Sequence, residues 1–311
     1  MATATPRSTT RTTRAAAVLA VSALAVAGCG SDDVSESGSD DDGARPTVVV
    51  TTNILGDVVD AATDGSVEVQ VIMPIGSEPH DFAPSARQAE AMEKADLLVT
   101  NGAGFEAGMT GVIDNVADSG TPVFAFADDV EIVDGDPHFW TDPSLIDAGL
   151  DALELRLADI DGIDGAALAA NIDAYQSELD KLQGSIEQAV AAVPEQRRIL
   201  VTNHEVFNYY AARFGFEVVG AVIPSLSTDA EPSAAGLEAL ADTIRAEGVT
   251  VIFGETTQST QVAEALADEV GEDVEIVELY SESLGDDGSG AETYLAMMTT
   301  NTELITSALS A

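Results

Sequence analysis

The chain has 311 residues, 45% of them hydrophobic and 22% charged, with a mean hydropathy of +0.12, so it has the composition and length of a globular protein of about two domains. Twelve bases against 55 acids give a formal charge of −43, which excludes a nucleic-acid partner, because phosphate contacts need Lys and Arg. A single cysteine excludes an internal disulfide and any cysteine-based zinc finger, and only three histidines occur, His80, His138 and His204.

Residues 1–28 carry three arginines and no acid, and the apolar run Ala15–Ala27 leads directly to Cys29. This is the charge, core and small-residue order of a secretory signal, too short to span a bilayer as a stable helix. Val26-Ala27-Gly28-Cys29 resembles a bacterial lipobox, and that resemblance makes Cys29 the lipidated first residue of an exported protein held at the outer face of the membrane. Cleavage there removes three bases and no acid, moving the formal charge from −43 to −46. Residues 29–46 are Gly, Ser and acid with little apolar content, which predicts a flexible tether.

From Thr47 the pattern alternates between strands and helices. TVVV (47–50), VEVQVIMP (67–74), DLLVT (96–100) and TPVFAF (121–126) read as strands, with helices near 54–62 and 85–95 and a short strand-like stretch at 130–133. Such alternation implies βαβ units and a mainly parallel sheet. The scheme repeats about 150 residues later: RILVTNHEVFNYYAARFGFEVVGAVIP (198–224) follows VVVTTNILGDVVDAATDGSVEVQVIMP (48–74) in element order, with Asn203 opposite Asn53 and Pro224 opposite Pro74. Between the halves, Leu168, Ile172, Tyr175, Leu179, Leu182, Ile186, Ala189 and Val193 form one apolar stripe. At 1.5 Å per residue this helix is about 39 Å long, and Pro194 stops it. The expected architecture is α/β: an N-terminal lobe (47–163) and a similar C-terminal lobe (195–311), each with a central parallel sheet, joined by a rigid helix within 164–194.

In open α/β sheets ligands bind beyond the carboxyl ends of the strands. His80 follows the strand at 67–73, His204 follows that at 198–202, and His138 follows the stretch at 130–133. Each histidine alone also fits a surface turn. Together they spend the whole histidine supply on one edge, and converging imidazoles suit zinc, copper, iron or nickel, not calcium or magnesium. A closed tetrahedral site needs a fourth donor. The loop after VEIVEL (274–279) offers Glu282, with Glu278, Asp286 and Asp287 as rival acids.

GSEPHDFAPSARQAEAMEKADLLVTNGAGFE (76–106), DPHFWTDPS (136–144), TNHEVFNYYAARFGF (202–216), AEPSAAGLEAL (230–240), VIFGETTQS (251–259) and LYSESLG (279–285) resemble the solute-binding lipoproteins of zinc and manganese ABC transporters, over essentially all of 47–311. The resemblance implies two α/β lobes on one backbone helix, no enzymatic activity, and delivery of a divalent metal to a membrane permease by a monomer. It places His80, His138 and His204 on three successive ligand positions, with His at the third position implying Zn2+ over Mn2+. At the fourth position Glu282 stands where the family commonly has Asp. The stretch before the second ligand, 127–136, is acidic and lacks the histidines of many zinc binders, so Asp134 and Asp136 read either as weak cation collectors or as a solvated loop. Trp140 reads either as packing by His138 or as a core residue alone, while Glu106 and Glu255, each at a strand end, are either acceptors fixing an imidazole or charges at helix N-termini. Arg213 reads as an internal charge partner. The same donors would also serve a zinc hydrolase with Glu282 as base, or an adhesin or metallochaperone. No H-E-x-x-H or G-x-S-x-G motif supports an enzyme.

Overall fold

Buried apolar runs become the centres of two parallel sheets in the computed structural model, which describes residues 45–310 except Glu272 and Asp273. Strands β1 (Thr47–Val50), β2 (Glu68–Val71), β3 (Leu97–Thr100) and β4 (Val123–Ala125) form a sheet in the order β2-β1-β3-β4. The strands β5 (Ile199–Thr202), β6 (Glu217–Ala221), β7 (Val251–Glu255) and β8 (Glu275–Leu279) form a second in the order β6-β5-β7-β8. All pairings are parallel. The identical strand order is the structural form of the repeat visible in the sequence. Central strands β3 and β7 are buried throughout, as LLVT and VIFGE require of strands covered on both faces.

Helices α1 (Asn53–Thr63), α2 (Ala86–Glu93), α3 (Thr110–Ser119) and α4 (Pro143–Ala158) belong to the first half, and α6 (Asn208–Phe214), α7 (Ala234–Glu247), α8 (Gln261–Val270) and α9 (Tyr294–Ser310) to the second. Between them runs α5 (Gly165–Val190), whose 26 residues extend about 39 Å. Asp164 caps it by accepting from the Ala166 and Ala167 amides. It buries Leu168, Ile172, Tyr175, Leu179, Leu182, Ile186 and Val190. Val190, not Ala189, ends the buried row because a step of four from Ile186 keeps to one face; Val193 packs inward after the helix has ended.

One apolar cluster runs unbroken from Val48 and Leu97 in the first half, through α5, to Leu200, Phe253 and Leu279 in the second. Shared packing of this kind makes the lobes stiff relative to each other. The expected strand at 130–133 does not form. The Val133 amide instead donates to the Tyr209 hydroxyl at 2.9 Å, carrying this loop across to the second half. Among the described residues no helix is long and apolar enough to cross a membrane. The expected signal segment (1–28), Cys29 and most of the tether lie outside the described residues.

Candidate metal centre

Every strand whose following loop reaches the site does so from its carboxyl end. His80 lies beyond β2, His138 beyond β4, His204 immediately beyond β5 and Glu282 beyond β8, so loops from the carboxyl ends of both sheets converge on one point. One donor atom from each of these four side chains falls within 4.8 Å of every other, and all four residues are buried. The rival acids Glu278, Asp286 and Asp287 are exposed.

Close packing positions His80. Gly108 donates its amide to the His80 carbonyl at 2.8 Å, and a Cβ on Gly108 would stand 2.6 Å from the Asp81 carbonyl carbon, so only glycine allows this approach. The His80 amide donates to Glu78 Oε1 at 2.9 Å, and the ring meets Phe105 edge-on with centroids 4.9 Å apart. Glu78 also accepts from Gln258, a contact between the two halves directly beside His80.

His138 and His204 are oriented by carboxylates. Asp136 Oδ1 lies 2.7 Å from His138 Nδ1, and Glu255 Oε1 lies 2.5 Å from His204 Nδ1. An acceptor at Nδ1 assigns the proton there and turns Nε2 toward the common centre. Glu255 is held in turn by the Ser281 hydroxyl, which donates to Oε2 at 2.6 Å. Trp140 stands edge-on to the His138 ring at 5.3 Å and donates from Nε1 to the Ser281 carbonyl at 2.8 Å. It therefore shields one imidazole and steadies the loop that carries Glu282.

Glu282 Oε1 is the focus of the arrangement, 2.9 Å from His80 Nε2, 3.3 Å from His204 Nε2 and 3.5 Å from His138 Nε2. None of these approaches has hydrogen-bond geometry: His80 Nε2 and both Glu282 oxygens are buried without a hydrogen-bond partner. Buried acceptors of this kind are costly unless something satisfies them, and a cation does so. Burial would raise the Glu282 carboxyl, but the three imidazoles hold it well below the usual range. Burial would depress His204, yet Glu255 and Glu282 together lift it to about 10. His138 is likewise raised, Asp136 and Glu282 outweighing its desolvation. Protons and a metal ion thus compete for the same inward-facing nitrogens.

Of the two acids expected at strand ends, Glu255 fixes an imidazole and Glu106 does not. Glu106 accepts from the Thr51 hydroxyl at 2.7 Å and from the Asn101 and Gly102 amides at 2.6 and 3.1 Å, bracing the turn that carries Phe105. Asp136, read from the sequence as a surface acid, is instead 4% exposed and backs His138. Its signal was the Asp-Pro-His spacing, in which Asp136 Oδ1 accepts the His138 amide at 3.0 Å and reaches the ring two residues on. Arg213 pairs with Glu187 at 3.1 Å and bonds Gln183 at 2.9 Å, joining α6 to α5 away from the centre.

The chain is similar to known metal-binding proteins over most of its length. The manganese-binding lipoprotein MntA of Halalkalibacterium halodurans is 31% identical over 298 residues, covering 94% of this chain and 97% of that protein. The zinc-binding protein TroA of Treponema pallidum is 32% identical over 276 residues, covering 85% and 89%. The solved structure of the Treponema pallidum periplasmic zinc-binding protein TroA superposes with a TM-score of 0.80 at 31% identity, covering 86% of this chain and all of that one. The family model for ZnuA, the periplasmic component A of the zinc-uptake complex, matches residues 48–308, and the chain belongs to that family.

Proposed function

We propose that this protein captures Zn2+ outside the cell membrane, to which Cys29 tethers it, and delivers the ion to an ABC permease. His80, His138, His204 and Glu282 are the ligands. The observation that carries this reading is that His80 Nε2 and both Glu282 oxygens are buried without a hydrogen-bond partner where loops from the two sheets converge. A divalent cation there satisfies all of them and offsets the negative charge gathered by Glu282, Glu255 and Asp136.

Three imidazoles and one carboxylate form a borderline-soft donor set suited to zinc, whereas manganese favours oxygen-rich shells. Relatives named for manganese and for zinc both exist, so the choice of zinc rests on this donor chemistry. Capture and delivery require no reaction. A hydrolase would need its carboxylate set back from the metal as a base, whereas Glu282 Oε1 lies within 3.5 Å of all three Nε2 atoms, as a ligand would. Titration of the metal-free protein with Zn2+ tests the reading. One equivalent bound in the wild type and lost in His204→Ala is expected; equal binding by both would refute the ligand assignment.

A further inference from the structure

Asn53 stands out in the sequence as half of the internal repeat, and nothing in metal ligation uses it. It is the first residue of α1, 8% exposed, at the carboxyl end of β1. Its side-chain amide joins two loops distant in the chain. Nδ2 donates to the Pro74 carbonyl at 3.3 Å, where the chain leaves β2 toward His80, and to the Ser283 hydroxyl at 3.2 Å. Oδ1 accepts the Leu284 amide at 2.8 Å. The backbone partners fix the amide's orientation: the Pro74 carbonyl can only accept and the Leu284 amide can only donate. Ser283 extends the link, its Oγ accepting from the Gly76 amide at 2.8 Å and donating to the Leu284 carbonyl at 2.9 Å. The two residues after Glu282 are thereby fastened to the loop before His80.

His80 and Glu282 make the closest contact at the centre, 2.9 Å, and they are also the two members not backed by a carboxylate at a ring nitrogen. We propose that Asn53 is a positioning residue for metal retention: one carboxamide sets the separation of these two ligands, one from each lobe, so that they close on the ion as a unit. The inference rests on the metal-capture reading above and adds a residue that touches no metal.

Zinc dissociation into a chelator, compared among the wild type, Asn53→Ala, Ser283→Ala and the double variant, tests it. Dissociation is expected to be about 10-fold faster in Asn53→Ala, within the range of lost outer-sphere partners. A smaller acceleration is expected in Ser283→Ala. The double variant should be no faster than Asn53→Ala, because both changes break one link. Co2+ in Asn53→Ala should show altered d–d absorption, a ligand-field readout that loss of stability alone does not produce. Wild-type dissociation rates in either single variant, or additive effects in the double variant, would overturn the proposal. If Asn53→Ala does not fold, the rate in Ser283→Ala decides alone. Failure of the wild type to bind Zn2+ at all would overturn the underlying reading, and is distinguishable because it needs no variant.

Discussion

The four side chains at the centre fall into two pairs, each drawing one member from each lobe, and the pairs are held differently. His138 and His204 have a carboxylate at Nδ1, from Asp136 and Glu255, and are fixed in tautomer and direction before any ion arrives. His80 and Glu282 have none; the His80 ring packs edge-on against Phe105, and the Asn53 link joins the loops of both. A site that must hold an ion and later surrender it benefits from this division. On the proposed reading, the first pair is set by carboxylates and the second by the Asn53 link.

The largest effect should come from removing a member of the fixed pair. His204→Ala or His138→Ala is expected to weaken Zn2+ binding by more than the roughly 100-fold upper range of a lost outer partner, as read by competition with a chelating dye. Next in size is removal of the carboxylates. Asp136→Asn and Glu255→Gln keep the shape and should each weaken zinc binding about 10- to 100-fold. Should these variants bind as the wild type does, the distinction between the pairs disappears.

Acidity probes the same division through protons. The raised His204 pKa, about 10 against an ordinary 6.5, means that its contribution to the stability of the metal-free protein is complete below the ordinary value and is lost as pH rises through about 10. Zinc displaces the proton at Nε2, so its affinity moves the opposite way, rising about tenfold per pH unit for each proton displaced. Calorimetry in buffers of different ionisation enthalpy should detect at least one proton released per Zn2+ near pH 7. Binding without proton release would contradict the assignment of Nε2 as the metal-facing atom. The smallest effect is expected at a distance: Gly184, exposed on α5 with open space around it, should tolerate Ala, gaining up to about 1 kcal/mol in chemical unfolding with zinc affinity unchanged.

The fixed and the linked pair were not equally legible in the sequence. His80 and His204 were, because each follows an apolar run that forms a strand, whereas His138 was placed by a strand at 130–133 that does not form and lies instead beyond β4. Helix α5 was, because a stripe of seven buried residues leaves little alternative to a packed helix. The stretch at 130–133 was not, since apolar alternation does not say whether a partner strand is free. Asp136 was missed because its role depends on a side-chain contact with the ring two residues on, and Asn53 because its partners Ser283 and Leu284 lie 230 and 231 residues away. The polyanionic composition excluded a nucleic-acid partner but is blind to which cation is bound, since long-range charge acts equally on Zn2+ and Mn2+ and is screened beyond about 8 Å at physiological ionic strength.

On the proposed reading, a preference for zinc comes from the imidazoles, and a competitive titration measures it directly. The metal-free wild type is loaded with one equivalent of Mn2+ and then titrated with Zn2+, with released Mn2+ followed by its paramagnetic resonance signal. One equivalent of Zn2+ displacing the Mn2+ completely is the predicted result; retention of Mn2+ against equimolar Zn2+ would contradict a zinc carrier built on His80, His138, His204 and Glu282.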